Sequence, residues 1–310
     1  MRSIPLIAIA LCASFATAQE FSSVSDTVGI EMIETFAENR ERFSSFACRG
    51  EVTVELTTKA DEIHPRFIKF AMFEDQAKRS SRTTYEIRDA VNLGSDMEDV
   101  FTIKGRRILG TFILDGVLVN PGDAGDEYIK NVVKRNWLPT DPWSWSFIPC
   151  ASLDQNNEDA LLWMQVFREE KLLWVQDNGK LIRAEWDVGE LSRIQAYFDP
   201  AKGNMPVYCR YIVPIDKEVK FGKKSRLLFN EIETEWAKHL EGWVPTKVRN
   251  YRESLSERGK IVGSETWNFD LDWDSKLTKD GVVEGRVFEM GKLNMFQLHE
   301  SFSKGTTPKK

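Results

Sequence analysis

A strict alternation of large apolar and polar side chains near the C-terminus constrains the fold of this chain more than any other feature. The apolar members are Trp267, Phe269, Leu271 and Trp273. The polar members are Asn268, Asp270, Asp272 and Asp274. Successive side chains of a strand point to opposite faces, so the segment is predicted to be a strand with one dry and one wet face. A shift of one residue would bury four polar side chains, three of them charged, which fixes the register.

The same period of two recurs along much of the chain and predicts antiparallel strands. Val52, Val54 and Leu56 alternate with polar residues, whereas residues 66–74 are apolar on both faces and therefore need a cover. Asp115-Gly116 supplies the positive φ angles of a two-residue hairpin turn between two β-prone runs. From residue 171 onward, alternating runs are separated by turn residues, which is typical of a meander.

Helical periodicity is confined to two parts of the chain. An N-terminal helix is predicted from a cap at residues 25–27 to about Phe43. Its apolar stripe consists of Ile30, Ile33, Phe36 and Ala37. Two further helices are predicted inside an insert at about 121–170, on either side of a proline-rich aromatic loop. We therefore expect one continuous antiparallel sheet with helices on one side.

The first 18 residues have the form of a secretory leader. Arg2 supplies a positive charge, residues 4–15 are apolar, and Ala16-Thr17-Ala18 is a small-x-small cleavage site. The apolar run is shorter than the roughly 20 residues that a spanning helix needs. We expect an exported protein, periplasmic or secreted, that is cleaved after Ala18 and is not membrane-integral. A retained anchor and lipid attachment at Cys12 are the alternatives.

Composition and charge narrow the class of protein further. The chain of 310 residues is 42% hydrophobic and 29% charged, which is typical of a soluble globular protein. Its net charge is −6 without a concentrated basic patch, so we expect no nucleic-acid partner. No linker divides the body, and we expect a single domain at 19–300 and a disordered polar tail at 301–310.

Motifs of catalysis and metal binding are incomplete in this sequence. His299-Glu300 lacks the second histidine of a zinc hydrolase, and the calcium-loop pattern that starts at Asp270 has Gly281 where glutamate is required. Glycine-rich phosphate loops and a Gly-x-Ser-x-Gly motif are not found. We expect a protein that is not an enzyme and has no cofactor or metal, although 48 acidic residues leave a pair of glycosidase carboxylates open.

Three cysteines, Cys48, Cys150 and Cys209, follow the leader. An oxidising compartment allows one disulfide among the three pairs, and the sequence does not choose between them. Their wide spacing does not fit a zinc site, and burial as small apolar side chains is the simpler expectation.

Ten tryptophans are the most unusual part of the composition. Those in alternating strands are expected in the core or in the wall of a cavity. Trp143 and Trp145 lie on the proline-rich loop without an obvious partner, so we assign them to the rim of a binding site, with anchoring of the loop as the alternative.

The order of these elements resembles the Lol-type periplasmic lipoprotein carriers over about residues 28–275. The resemblance is carried by Phe43-Ser44-Ser45-Phe46 at the end of the first helix, by the hairpin at 115–116 and by the strand-breaking stretch 198–206. It implies an α+β, mainly antiparallel β fold: an incomplete, half-open β-barrel of long meandering strands, covered by the N-terminal and mid-chain helices. It also implies an apolar cavity for acyl chains and a lid held by an arginine, for which Arg49 and Arg66 are candidates by location.

We therefore predict a non-catalytic carrier or sensor that binds a lipid, or the acyl chain of a lipoprotein. The predicted cavity lining consists of Val52, Val54, Phe70, Met72, Trp267, Phe269, Leu271 and Trp273. The predicted lid is the helix stripe Ile33, Phe36 and Ala37. The alternatives are a closed structural module of the envelope that binds an envelope protein, and a carbohydrate-binding protein that uses Trp143 and Trp145.

Overall fold

The fold is given by a computed structural model of the chain. It describes residues 20–56, 63–75, 80–92, 107–114, 117–118, 141–147, 167–187, 193–214, 227–240, 242–255, 261–284, 287 and 293–304. The predicted leader and the first predicted helix of the insert lie outside these residues. Of the second predicted helix only the end is described, and residues 167–169 there are helical.

In the described part of the chain, one antiparallel sheet of thirteen strands forms the body of the protein. In chain order, β1 to β13 are Ser22–Ser23, Ser45–Leu56, Ile63–Asp75, Ser80–Asn92, Arg107–Leu114, Val117–Leu118, Lys171–Asp177, Ile182–Asp187, Arg193–Asp199, Met205–Pro214, Leu227–His239, Gly242–Leu255 and Ile261–Trp273. Their spatial order is β1-β7-β8-β9-β10-β11-β12-β13-β2-β3-β4-β5-β6. The sheet is thus two meanders, joined where the last strand pairs with β2.

The junction between β13 and β2 has the register that the alternation in the sequence requires. Phe269 lies opposite Val52, and both are buried, whereas Asp270 on the other face is exposed. Gly50 is required here because a Cβ atom on it would lie 2.3 Å from the carbonyl oxygen of Asp270. The predicted register of the last strand is therefore confirmed.

The sheet is open, and a single core connects strands that are far apart in its order. The two strands at its ends, β1 and β6, are each two residues long. Side chains from β3, β9, β10 and β13 nevertheless belong to one apolar cluster, so the sheet curves around that cluster. We call the enclosed side the concave face and the other the convex face. The predicted half-open antiparallel architecture is confirmed.

Helix α1, Asp26–Glu41, lies against β7, β8, β10 and β12, on the concave face. The side chain of Ser25 caps it by accepting a hydrogen bond from the backbone N–H of Thr27, as predicted. Asn39 fixes its end to the sheet, since its amide both donates to and accepts from the backbone of Trp243, at 2.8 and 2.7 Å. The predicted N-terminal helix is confirmed, and it ends two residues before the predicted position.

Two C-terminal helices, α2 at Ser275–Glu284 and α3 at Met295–Ser303, cover the convex face of β2, β3 and β4. Neither helix was predicted from the sequence. Residues 301–303 belong to α3 and Phe302 is buried, so the disordered tail predicted from residue 301 is wrong for residues 301–303. None of the helices that the structure describes is long and apolar enough to cross a membrane.

The predicted hairpin is confirmed by the pairing on both sides of its turn, where Leu114 lies opposite Val117. Strand β4 was not predicted. Its buried residues include Thr84 and Glu86 on one face, so that face lacks the apolar alternation by which the other strands were found.

Candidate functional site

The concave face is lined by the residues that the sequence analysis assigned to a cavity. Ten of the eleven predicted lining and lid residues are buried in one cluster, and the eleventh, Trp273, is half-buried against it. Phe70 and Phe36 have no exposed surface at all. The structure therefore brings the predicted wall and the predicted lid together on one side of the sheet.

A short internal segment fills the space between this wall and α1. We call residues 141–147 the aromatic plug, since it carries Trp143, Trp145 and Phe147. Asp141 starts the plug with an Asx turn, because its carboxylate accepts from the N–H of Trp143 at 3.0 Å. A turn of 3₁₀-helix, Ser144–Ser146, follows. All seven residues of the plug are buried.

Trp145 occupies the centre of the concave face. Its ring stacks on Phe269 at a centroid distance of 4.7 Å and meets the edge of Phe70 at 5.5 Å. Trp143 lies 4.9 Å from Trp273 and donates its indole N–H to the carbonyl oxygen of Trp243 at 3.1 Å. These rings contact the residues that were predicted to receive a ligand.

The predicted rim position of Trp143 and Trp145 is wrong, since their exposures are 0% and 1%. Two prolines exclude regular structure from a loop, but they do not exclude burial of that loop. Three large aromatic side chains at alternate positions carry more apolar surface than a solvent-exposed loop retains. A carbohydrate site that uses these two tryptophans as an exposed platform is likewise not what the structure shows.

The far end of the plug contacts the opposite part of the sheet. Phe147 meets Phe36 of α1 at 4.8 Å, and the hydroxyl of Tyr211 on β10 donates to the backbone carbonyl of Phe147. Burial raises the pKa of Tyr211 well above its usual value of 10.0, so this hydroxyl stays protonated as a donor. The lid residue Phe36 thus covers the plug, and the plug covers the wall.

A buried arginine holds the start of the plug. Arg40 has no exposed surface, and its Nε lies 2.9 Å from Oδ2 of Asp141. Its guanidinium stacks on the ring of Trp143 at 4.6 Å, and Glu74 of β3 lies 3.9 Å from Nη2. This side chain therefore joins α1, the plug and β3 in one charge network.

Neither arginine proposed from the sequence holds the plug in the described structure. Arg49 points to the convex face and pairs with Asp272 at 2.7 Å, where both side chains are exposed. The side chain of Arg66 is outside the described residues. Arg40 had a signal that was overlooked, because it continues the spacing of Ile33, Phe36 and Ala37 at position i+7.

Hydrogen-bonding atoms remain unpaired on both sides of the contact between plug and wall. The 3₁₀ turn lies against β10, β11 and β12. Trp145 Nε1 and Ser146 Oγ of the plug are buried and have no hydrogen-bond partner among the described residues. The same holds on β11 for Thr234 Oγ1 and for both amide atoms of Asn230. Native interiors pair nearly all such atoms, so this contact is poorly matched in its polar part.

The thiols of Cys48 and Cys209 are buried and free. Each of the three pairings that the sequence allows needs at least one of them, so none of these pairings forms. Burial raises the pKa of both thiols, and the carboxylates of Glu74 and Asp141 add to the effect on Cys48. Thiols that stay protonated are poor nucleophiles, and both side chains act as small apolar residues of the core.

Three solved structures resemble this chain. A domain from Vibrio parahaemolyticus that is named for outer membrane lipoprotein sorting is 13% identical, over 85% of this chain and 100% of that one, with a TM-score of 0.39. A DUF1329 family protein from Desulfovibrio piger is 11% identical, over 86% and 98%, with a TM-score of 0.38. LprF from Mycobacterium bovis is 10% identical, over 82% and 96%, with a TM-score of 0.28. No family model and no curated protein matches the chain.

All three TM-scores lie below 0.5. The proposals below therefore rest on the geometry of this chain.

Proposed function

We propose that this protein is an exported carrier or sensor that binds a lipid-like apolar ligand on the concave face, in the volume that the aromatic plug occupies. The proposal is supported by the identity of the residues that fill the concave face. One seven-residue segment, and not the wall itself, supplies the rings at the centre of the concave face. If that segment moves aside, the predicted lining residues are left as a continuous apolar surface.

The free energy of transfer of an acyl chain from water to an apolar site is large enough for a ligand to displace the plug. Each methylene group that leaves water for an apolar site contributes about 0.8 kcal/mol, so ten methylenes of an acyl chain supply about 8 kcal/mol. Part of that energy offsets the cost of association, and part replaces the contacts that the rings of the plug lose. A long acyl chain can therefore compete with the plug, whereas a short one cannot.

The contacts of the plug favour a removable cover. Its polar contact with β11 is unmatched, so withdrawal returns Trp145 Nε1 and Ser146 Oγ to water and recovers their hydration. Its charged anchor is the pair of Arg40 and Asp141. The cost of desolvating a buried ion pair offsets much of its Coulomb attraction. Separation of Arg40 and Asp141 therefore costs less free energy than the short distance between them suggests.

The second candidate is a closed structural or protein-interaction module of the envelope. The complete burial of the plug favours it, since Trp143, Ser144 and Phe147 have no exposed surface. In that case the plug is a permanent part of the core, and the partner is an envelope protein instead of a lipid. The two candidates differ in what happens when the plug is shortened.

The test is binding of a fluorescent long-chain fatty acid to the mature protein and to two variants. Trp145→Ala removes the ring that fills the centre of the site, so we expect tighter binding, by about tenfold or more. Phe269→Asp places a charge in the wall and should abolish binding. The control is Thr266→Asp, on the same strand but on the convex face, which should bind like the unmodified protein.

A gain of binding in Trp145→Ala cannot arise from misfolding, provided that its circular dichroism spectrum is unchanged. Absence of binding in both the unmodified protein and Trp145→Ala would contradict the carrier and favour the closed module. Native mass spectrometry of the purified protein, followed by organic extraction, gives a second readout by identifying any lipid that copurifies.

A further inference from the structure

Two polar residues of β11 lie on the concave face among apolar neighbours. Asn230, Ile232 and Thr234 alternate toward that face, and each is buried. Asn230 is 6% exposed and Thr234 is 5% exposed. Across the ladder, Asn230 lies opposite Tyr211 on one side and Arg252 on the other.

The hydrogen-bonding atoms of these two residues have no partner among the described residues. Both Oδ1 and Nδ2 of Asn230 are buried and unpaired, as is Oγ1 of Thr234. An unpaired buried polar group costs folding free energy, so a structural module gains nothing from an asparagine and a threonine at these positions. Together they offer one amide donor, one amide acceptor and one hydroxyl to whatever replaces the plug.

The charges of the concave face are already compensated in the described part of the chain. Arg252 donates two hydrogen bonds to Oε2 of Glu265, at 3.0 and 2.6 Å, while Oε1 of Glu265 accepts from the indole N–H of Trp267 at 2.6 Å. Arg40 faces Asp141 and Glu74. Among the described side chains of this face, an anionic head group would meet no uncompensated cation, and burying it would be costly.

We propose that Asn230 and Thr234 form a subsite for an uncharged hydrogen-bonding head group, a hydroxyl or an amide, on an acyl-chain amphiphile. This inference rests on the proposed function, because the acyl chain lies where Trp145 now lies. The head group pairs with the amide of Asn230. Thr234 lies about 13 Å further along the strand and offers its hydroxyl to a second polar group of the amphiphile, such as the ester that joins head group and acyl chain. The subsite therefore selects neutral amphiphiles over free fatty acids of the same chain length.

The experiment compares a monoacylglycerol with the free fatty acid of the same chain, both measured at pH 8 by displacement of a fluorescent acyl probe. We expect the unmodified protein to prefer the monoacylglycerol by about tenfold, as one or two additional hydrogen bonds provide. Asn230→Leu should reduce the preference to near one while the affinity for the fatty acid stays within about twofold. Asn268→Leu, on the convex face, is the matched control and should keep the preference.

The melting temperature of Asn230→Leu serves as the folding control for this experiment. Asn230→Leu removes two unpaired buried atoms, so its melting temperature should equal or exceed that of the unmodified protein. Equal affinities for the two amphiphiles, or a preference that survives Asn230→Leu, would overturn the subsite and leave the carrier intact. If neither amphiphile displaces the probe, or if the probe itself does not bind, both the subsite and the proposed carrier function are contradicted.

Discussion

Strands β2 and β3 are covered on both faces, and the two covers are built differently. On the convex face, Ala47, Ala71 and Phe73 pack against the C-terminal helices. On the concave face, Phe70 of β3 packs against Trp145 of the plug. Both covers bury large apolar side chains, so apolar area does not distinguish them. The two covers differ instead in their polar contacts with the sheet.

The convex cover pairs backbone and side-chain groups across its contact with the sheet. The N–H of Ala47 donates to Thr278 Oγ1 of α2 at 3.0 Å, and the N–H of Met295 in α3 donates to Thr84 Oγ1 of β4 at 3.0 Å. The guanidinium of Arg82 donates to backbone carbonyls that precede α3, of which one is that of Leu293. Such networks fix a unique arrangement and are costly to break.

The concave cover is paired less completely. Besides the ion pair of Arg40 and Asp141 and its ring contacts, the plug has hydrogen bonds to Trp243 and from Tyr211. Five buried atoms at this contact, Trp145 Nε1, Ser146 Oγ and the polar atoms of β11, have no partner among the described residues, whereas in α3 this holds for His299 Nε2. From this difference we infer that the sheet carries a permanent cover on its convex face and a removable cover on its concave face. Four predictions test that difference.

The largest effect is expected for Phe302→Ala, on the convex cover. Truncation of a buried phenylalanine should lower the free energy of unfolding by about 3 to 5 kcal/mol. The affinity for the acyl probe should not change, because the concave face is untouched. Denaturant unfolding with and without the probe measures both quantities. An equal effect of Phe302→Ala and Trp145→Ala on probe binding would remove the distinction between the covers.

The next effect is expected for Asp141→Asn, on the concave cover. Removal of one partner of a buried ion pair usually costs about 3 to 5 kcal/mol. Glu74 lies 3.9 Å from Arg40 and the released plug can hydrate, so we expect the low end, about 3 kcal/mol. Probe affinity should rise, and tryptophan emission should shift to the red. Loss of stability without a gain in binding would indicate a permanent core.

A smaller and pH-dependent effect is expected for Asp274→Asn, which weakens the convex cover. Burial raises the pKa of Asp274, but hydrogen bonds from His299 and from the N–H of Leu277 outweigh it and hold the pKa below the usual 3.8. The carboxylate therefore stabilises the fold above that pH, and its contribution is lost as the pH falls through the lower, folded value.

Unfolding of Asp274→Asn and of the unmodified protein should be compared at pH 6 and at pH 2.5. We expect a difference of about 1 to 2 kcal/mol at pH 6 and a smaller one at pH 2.5. A difference that is the same at both pH values would show that the charge of Asp274 contributes nothing.

The smallest effect is expected for Arg49→Met. Its pair with Asp272 is exposed on both sides, 43% and 65%, so the loss should be about 0 to 1 kcal/mol. Because Arg49 does not contact the plug, probe affinity should stay unchanged. A gain of binding as large as that of Asp141→Asn would place the anchor of the plug at Arg49 instead of Arg40.

Much of the sheet could be predicted because burial on one face leaves a period of two in the sequence. The register of β13 follows directly from Phe269 and its neighbours. Strand β4 could not be found in this way, because Thr83 and Glu86 are buried polar residues and the pattern of the strand is not apolar. Helix α3 had local signals, the capping box of Asn294 and Gln297, and these were overlooked.

The wall of the candidate site could be predicted, but its contents could not. Alternation identifies which face of a strand is buried, and that was sufficient for Val52 and Phe269. It does not identify the partner that buries the face, because a loop such as the plug has no period. The burial of Trp143 and Trp145 depends on a long-range return of the chain to the sheet, which local sequence patterns do not contain.

Amide hydrogen exchange of the plug, with and without a monoacylglycerol, tests the central claim most directly. The N–H groups of Ser144, Trp145, Ser146 and Phe147 donate to backbone carbonyls within the plug, so they are protected while it is in place. We predict that the ligand accelerates their exchange and leaves the amides of α3 protected. Bound monoacylglycerol with unchanged protection of the plug would contradict the account.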